Sequence, residues 1–321
     1  MKDSFNREID YIRLSVTDRC DLRCTYCMPA TGMCFLKKEE VLSLEEILFL
    51  VENLAQQGIK KVKITGGEPL TRKDTIPLIK AIKAIQGIEK VTLTTNGIQL
   101  GKYASALKAA GLDGINVSID TLDPDEFREI TRVGELKRVL DGLCTAIEIG
   151  LPNIKVNTVA RGELTEKEIC TVAKLAKKSP IHVRFIELMP IGLGKGCPGK
   201  TQEELISVLE ENYGELIPFE QRLGNGPASY FSLPHFKGKI GFISALGHCF
   251  CAECDRIRFT ADGCLKTCLH MDDGCNVKVA LQTKNKELLL EQVFTAIQQK
   301  PEKHHFLEDQ GDSRLMSQIG G

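Results

Sequence analysis

The chain has 321 residues, 42% hydrophobic and 26% charged, with a formal net charge of -1 at pH 7. It is long enough for one large domain or a domain with an appendage, and it carries no overall basic field for nucleic acid. No stretch approaches the roughly 18 uncharged apolar residues of a membrane span, and the opening MKDSFNREIDYIRLSV has no apolar signal core, so the expectation is a cytoplasmic protein with neither nucleic-acid nor membrane partners.

The first predicted element is a strand over YIRLSV, residues 11 to 16, which runs directly into RCDLRCTYCMP at 19 to 29. A helix follows in SLEEILFLVENLAQQG: Ser43 and Glu46 form a capping box, Leu44, Ile47, Leu48, Val51, Leu54 and Ala55 one apolar stripe, and Gly58 stands where a C-terminal cap belongs. Further strands are predicted at KVKIT (61 to 65), VTLTT (91 to 95), INVSI (115 to 119), IKVNTV (154 to 159) and HVRFIEL (182 to 188), with helical patterns between them. Strands alternating with helices imply right-handed crossovers and a parallel sheet. With these units, residues 1–200 read as an incomplete (β/α)6 barrel of the TIM type, which would gather ligands at the C-terminal ends of its strands. From about 201 to 321 the rhythm changes to short strands with turns at LGNGP and LPHFKG and a helix near 285 to 299, a smaller α+β region ending in Gly320 and Gly321.

Thirteen cysteines in a chain without an export signal point to metal or redox chemistry. Three of them, Cys20, Cys24 and Cys27, fall just after the first strand, where a barrel keeps its active site. Zinc commonly takes four ligands in CxxC pairs, and a fourth nearby thiol at that spacing is missing; Cys34 is distant. Three thiolates that leave one iron of a 4Fe-4S cluster free for another ligand suit the pattern better. A second group, Cys251, Cys254 and Cys268, lies in CFCAECDRIRFTADGCLKTCL. Its spacing serves zinc and a cluster equally, since Cys249, Cys264 or Cys275 could complete a tetrahedron.

Cx3CxxC with an aromatic before its last cysteine resembles the signature of the radical S-adenosylmethionine superfamily, matched here by Cys20, Cys24, Tyr26 and Cys27. ITGGEPL, at the end of the second strand, is similar to that superfamily's GGEP motif, in which Gly66 and Gly67 would let backbone approach the cofactor's methionine moiety while Glu68 and Pro69 fix the turn. The later strand ends TTNG, NVSIDTLD, KVNTVARG and RFIELMPIG, together with FCxxCxRxRxTxDGxxxxCL, resemble one family within it, the GTP 3',8-cyclases that begin molybdenum cofactor biosynthesis. The likeness runs from about residue 9 to 321.

That resemblance implies two 4Fe-4S clusters, the first on Cys20, Cys24 and Cys27 and the second on Cys251, Cys254 and Cys268, with S-adenosylmethionine on the first and GTP as substrate. It implies Tyr26, Gly67, Ser118 and Met189 as contacts of S-adenosylmethionine. Arg13, Lys63, Thr94, Lys155, Arg256, Ile257 and Arg258 would meet GTP. The arginines suit phosphate as planar multi-donor cations, whereas Lys63, where the family often has arginine, keeps charge but not the forked contact. Gly320 and Gly321 resemble the family's double-glycine C-terminus, which reaches back into the active site. The implied reaction converts GTP to (8S)-3',8-cyclo-7,8-dihydroguanosine 5'-triphosphate through a radical at ribose C3' that attacks guanine C8. Implied partners are a flavodoxin- or ferredoxin-type electron donor and a downstream cyclic pyranopterin monophosphate synthase, and a homodimer is among the assemblies the resemblance allows. The alternatives are a radical enzyme that modifies a peptide, and an iron-sulfur carrier or zinc module without turnover.

Overall fold

A computed structural model describes residues 1–271, 274–306 and 314–320. The six expected strands form: β1 Tyr11–Ser15, β2 Lys61–Thr65, β3 Lys90–Thr95, β4 Gly114–Ser118, β5 Ile154–Ala160 and β6 His182–Glu187. They pair in parallel in sequence order, with helices as crossovers. Side chains on a strand alternate between faces. Ile12, Leu14, Val62, Ile64, Val91, Leu93, Ile115, Val117, Val156 and Val183, all essentially buried, therefore share one face and pack in the core. Arg13, Lys63, Thr92, Thr94, Asn116, Ser118, Lys155, Asn157 and Arg184 alternate with them and share the other. The apolar stripe of the helix Leu44–Gln56 is buried against this core, and its Ser43–Glu46 capping box forms as expected. Each aliphatic side chain so buried contributes about 1.5–3 kcal/mol, so the polar face is carried by a strong core behind it.

The C-terminal region extends the same sheet at both edges, an arrangement that its short strands do not announce in sequence. β7 Ile217–Phe219, β8 Ser229–Ser232 and β9 Ile240–Ile243 make an antiparallel set whose β9 lies parallel to β6. β10 Arg256–Phe259 lies parallel to β1 at the opposite edge, and β11 Cys264–Lys266 and β12 Cys275–Asn276 continue outward antiparallel. The order is β12-β11-β10-β1-β2-β3-β4-β5-β6-β9-β8-β7, so eight of these strands run parallel around an incomplete barrel.

This topology separates the two cysteine groups. Cys20, Cys24 and Cys27 follow the C-terminal end of β1, whereas Cys251 and Cys254 precede the N-terminal end of its parallel neighbour β10. A five-residue strand at about 3.3 Å per residue places the groups on the order of 15 Å apart, at opposite ends of the barrel.

Candidate functional site

The first cysteine loop is tied down by its own backbone and by two arginines. Cys27 and Met28 N–H both donate to the Cys24 carbonyl at 3.0 Å. Arg23 Nη1 donates to the carbonyls of Cys20 and Leu22, and Arg132 Nη1 to those of Arg23 and Met28. Burial pushes the Cys20 thiol up to about 12 and the Cys27 thiol up to about 11, and it raises Cys24 well above its ordinary value. Three thiols so disfavoured as anions ionise only when a cation compensates them, as iron would. Among the described residues, the group of three donors drawn together within 4.8 Å is Cys249, Cys251 and His304. Cys251 thus has two donors beside it that lie outside the expected triad, Cys249 and His304.

Around this loop the strand ends present a rim of buried polar groups. Glu68 accepts from Leu70 N–H at 2.9 Å, Thr95 Oγ1 at 2.8 Å and Asn96 N–H at 2.7 Å, so it fixes the turn as expected; burial still pushes its carboxyl up to about 7. Gly66 and Gly67 are glycines because the cysteine loop presses on them. A Cβ at Gly66 would stand 2.6 Å from the Thr17 carbonyl oxygen, and one at Gly67 2.4 Å from that of Arg19. Tyr26 donates its hydroxyl to Asp120 Oδ2 at 2.6 Å, and burial raises both groups. Ser118 ends β4 and Met189 lies two residues beyond β6, both half-buried at this end of the barrel.

Deeper in the barrel the in-register pairing sets cations side by side. Arg258 pairs with Arg13 and Arg13 with Lys63, so three cations stand in one row across β10, β1 and β2. Lys155 sits in β5 two residues before Asn157, whose Oδ1 accepts from Arg184 Nε at 2.9 Å and Nη2 at 2.6 Å. Burial first, then the neighbouring Arg184, bring Lys155 down to about 7. Burial followed by Arg184, Arg13, Lys155 and Arg256 depresses Lys63 well below its usual value. Burial likewise lowers Arg13 and Arg258. Of Lys63, Lys155, Arg184, Arg256 and Arg258, only Arg256 makes an ion pair among the described residues, with Asp255 at 3.1 Å. Thr94 Oγ1 accepts from Asn116 Nδ2 at 3.3 Å on the same face.

Two expected residues stand apart. Ile257 alternates with Arg256 and Arg258, so its side chain points away from the cations; it is fully buried in the core opposite Ile12. Neighbours on a strand face opposite sides, so of Ile257 only backbone groups are on the side of the cations. Gly321 lies outside the described residues. Gly320 does reach the site: its carbonyl accepts from Arg258 Nη1 at 2.8 Å, and at φ +74° a Cβ there would stand 2.7 Å from Thr65 Oγ1. Ser317, three residues earlier, lies close enough to Cys27 to lower its thiol against burial, and donates its hydroxyl to Met33 Sδ at 3.3 Å. The tail therefore touches both the first cysteine loop and the cation row.

Arg184, Asn157 and Asp120 belong to this site and were not singled out from sequence. The available signal was parity: a charged residue at an inward position of an otherwise apolar strand, as in HVRFIEL. At the second triad, burial raises the Cys254 thiol but Lys300 and Arg256 outweigh it and bring it below its ordinary value. Burial pushes Cys251 up to about 11.

Comparison with known proteins places this geometry. Residues 14–176 match the Radical SAM superfamily, and residues 181–306 match Molybdenum Cofactor Synthesis C. The crystal structure of SuiB from Streptococcus suis bound to S-adenosylmethionine superposes with a TM-score of 0.65 at 15% identity, over 91% of this chain and 68% of that one. Methylornithine synthase (PylB) does so with a TM-score of 0.51 at 17% identity, over 64% and 62%. At these identities the likeness is one of fold, a barrel of the radical S-adenosylmethionine class. Proteins named GTP 3',8-cyclase are far nearer in sequence: those of Clostridium perfringens (strain SM101 / Type A) and Heliobacterium modesticaldum are each 45% identical, and that of Moorella thermoacetica 43%, over the full length of both chains. The chain belongs to the GTP 3',8-cyclase family of that superfamily.

Proposed function

We propose that the protein is a GTP 3',8-cyclase, converting GTP to (8S)-3',8-cyclo-7,8-dihydroguanosine 5'-triphosphate at the start of molybdenum cofactor biosynthesis. The observation that carries this reading is the row of buried cations between two cysteine triads at opposite ends of one barrel. Lys63, Lys155, Arg184 and Arg258 together lack a carboxylate partner among the described residues, and each is nearly buried. Such a cluster is costly unless an anion of several charges completes it, and a triphosphate supplies one.

Cys20, Cys24 and Cys27 would hold the first 4Fe-4S cluster, with Tyr26, Gly67, Ser118 and Met189 around S-adenosylmethionine at the C-terminal strand ends. Cys251, Cys254 and Cys268 would hold the second. When bound, the first cluster and S-adenosylmethionine supply the radical chemistry that activates ribose C3'. Arg13, Lys63, Lys155, Arg256 and Arg258 would grip the phosphates, and Thr94 lies on the same face toward the strand ends. Ile257 could contribute only backbone groups. Fixing the nucleotide between the two ends of the barrel holds ribose toward the radical source and guanine toward the second triad, the proximity that ring closure needs. Gly320, with Gly321 beyond it, would close the site beside Arg258 and limit stray hydrogen donors.

Reductive cleavage needs a one-electron donor, for which a flavodoxin or ferredoxin is suited. A cyclic pyranopterin monophosphate synthase would take the product, and the working compartment would be the cytoplasm. Among the described residues no helix is long and apolar enough to cross a membrane. The functional division falls near residue 200, with residues 1–200 serving S-adenosylmethionine and 201–321 the second cluster. The test is anaerobic reconstitution with iron and sulfide, followed by reduction with S-adenosylmethionine and GTP. Formation of 5'-deoxyadenosine together with the cyclised nucleotide is expected; 5'-deoxyadenosine formed without any GTP-derived product would overturn the assignment.

A further inference from the structure

Behind the second triad the chain buries two cations that the reading above does not use. Arg7, 8% exposed, donates from Nη1 to the carbonyls of Cys251 and Glu302 at 2.8 Å each, and from Nη2 to that of Pro301 at 2.7 Å. Lys300, 3% exposed, donates from Nζ to the Arg256 carbonyl at 3.2 Å and to the Thr267 carbonyl. Cys254 Sγ stands 4.0 Å from the same Arg256 carbonyl oxygen, and the nearby ammonium lowers its thiol against burial. Thr267 immediately precedes Cys268 and Arg256 lies two residues past Cys254, so a single ammonium joins the two loops that carry these cysteines. The Lys300 backbone is itself fixed, its N–H donating to the Ile297 carbonyl at the end of the helix Lys286–Gln298.

Arg7 has its counter-ion in Asp3, at 2.6 Å. Lys300 has no carboxylate within ion-pairing distance among the described residues. A buried ammonium satisfied only by two carbonyls keeps an uncompensated charge, which is expensive in the interior. A cluster held by three thiolates carries net negative charge and becomes more negative on reduction, so it supplies the missing compensation and does so best when reduced.

We propose that Lys300 is a positioning residue for the second cluster: it clamps the Cys254 and Cys268 loops together and places a positive charge beside the Cys254 thiolate, raising the cluster's reduction potential. The inference rests on Cys251, Cys254 and Cys268 holding a 4Fe-4S cluster. It also assigns Lys300 an indirect part in substrate binding, because the carbonyl it holds belongs to Arg256.

The test uses the full chain with Cys20, Cys24 and Cys27 changed to Ala, so that only the second site loads, and compares this parent with Lys300→Gln and Lys300→Arg in the same background. Iron is counted, the melting temperature recorded, and the midpoint potential read by electron paramagnetic resonance during a redox titration. The parent should hold about four irons. Lys300→Gln should titrate at a more negative potential than the parent or lose iron, while Lys300→Arg, which keeps charge and donors, should retain iron and stay near the parent's potential. Equal potentials in all three proteins, or iron lost alike from both variants, would overturn the inference. A parent that binds no iron would instead overturn the assignment of the triad, and the role of Lys300 with it.

Discussion

Lys155 gives a prediction in which pH moves stability and binding in opposite directions. Its ammonium is brought down from 10.5 to about 7 by burial and by Arg184, a cost of roughly 5 kcal/mol to the charged form. In the free protein at pH 8 the side chain is therefore about 90% neutral. A bound triphosphate reverses the local field and returns the proton, so GTP binding should take up about 0.9 proton at pH 8 and about half a proton at pH 7 from this residue alone. Lys63, depressed well below its usual value, adds to that uptake. Affinity should accordingly fall as pH rises above 7, by up to about tenfold per pH unit for a single coupled site. For the nucleotide-free protein the sign is opposite. The unfolded chain binds the proton that folded Lys155 has lost, so this residue's contribution to stability increases between pH 7 and 10.5 and is absent below 7. Calorimetry of GTP binding at pH 8, in buffers of different ionisation enthalpy, measures the uptake; at that pH the nucleotide's own phosphates are already ionised. Lys155→Met should reduce uptake by about one proton at pH 8. Proton release on binding, or uptake unchanged in Lys155→Met, would refute the placement of this side chain against phosphate.

Reconstituted protein should carry about eight irons, falling to about four when either Cys20, Cys24 and Cys27 or Cys251, Cys254 and Cys268 are changed to Ala, as iron analysis will show; about four irons plus one zinc in the unaltered protein would exclude the second cluster. Changing Cys249, Cys264 or Cys275 singly to Ala should leave the iron count unaltered if the ligands are as assigned. Arg256→Ala and Arg258→Ala should each weaken GTP binding by about 1.5–3 kcal/mol, the range for charge-assisted hydrogen bonds, with the iron content retained. Gly320→Ala, whose Cβ would stand 2.7 Å from Thr65 Oγ1, should nearly abolish product formation while melting temperature and iron content hold; deletion of Gly320 and Gly321 should do the same, and full activity in either variant would sever the tail from the chemistry.

Much of the barrel was legible because its signals are local. Alternation within five to seven residues marks a strand, the Ser43–Glu46 pair marks a helix start, and in the structure β1 to β6 fall within a residue of their expected bounds. What sequence did not reveal was the partner of each later strand. β9 and β10 are four residues each and join opposite edges of the sheet. Nothing in four residues encodes which distant edge they will meet; that choice is made by the tertiary fit of the whole barrel. Arg184 was obscured for a related reason. Its strand reads as apolar, and the residues that give an inward arginine its meaning, Lys63, Lys155 and Asn157, are supplied by other strands.

The pairing of β10 with β1 is the step on which the chemistry turns. It is parallel and in register, so it sets Arg258 beside Arg13 and, through β1, beside Lys63. A one-residue slip would turn Arg256 and Arg258 into the apolar core and bring Ile257 to the polar face. Register is held against that slip by Ile257 and Phe259, both fully buried on the far face, each contributing about 1.5–3 kcal/mol of burial. The same parallel direction leaves Cys254 at the foot of β10 and Cys20 beyond the top of β1. One strand pairing thus fixes the separation of the two cysteine triads and the cations between them. The apolar residues that the site never touches are what make that arrangement unique.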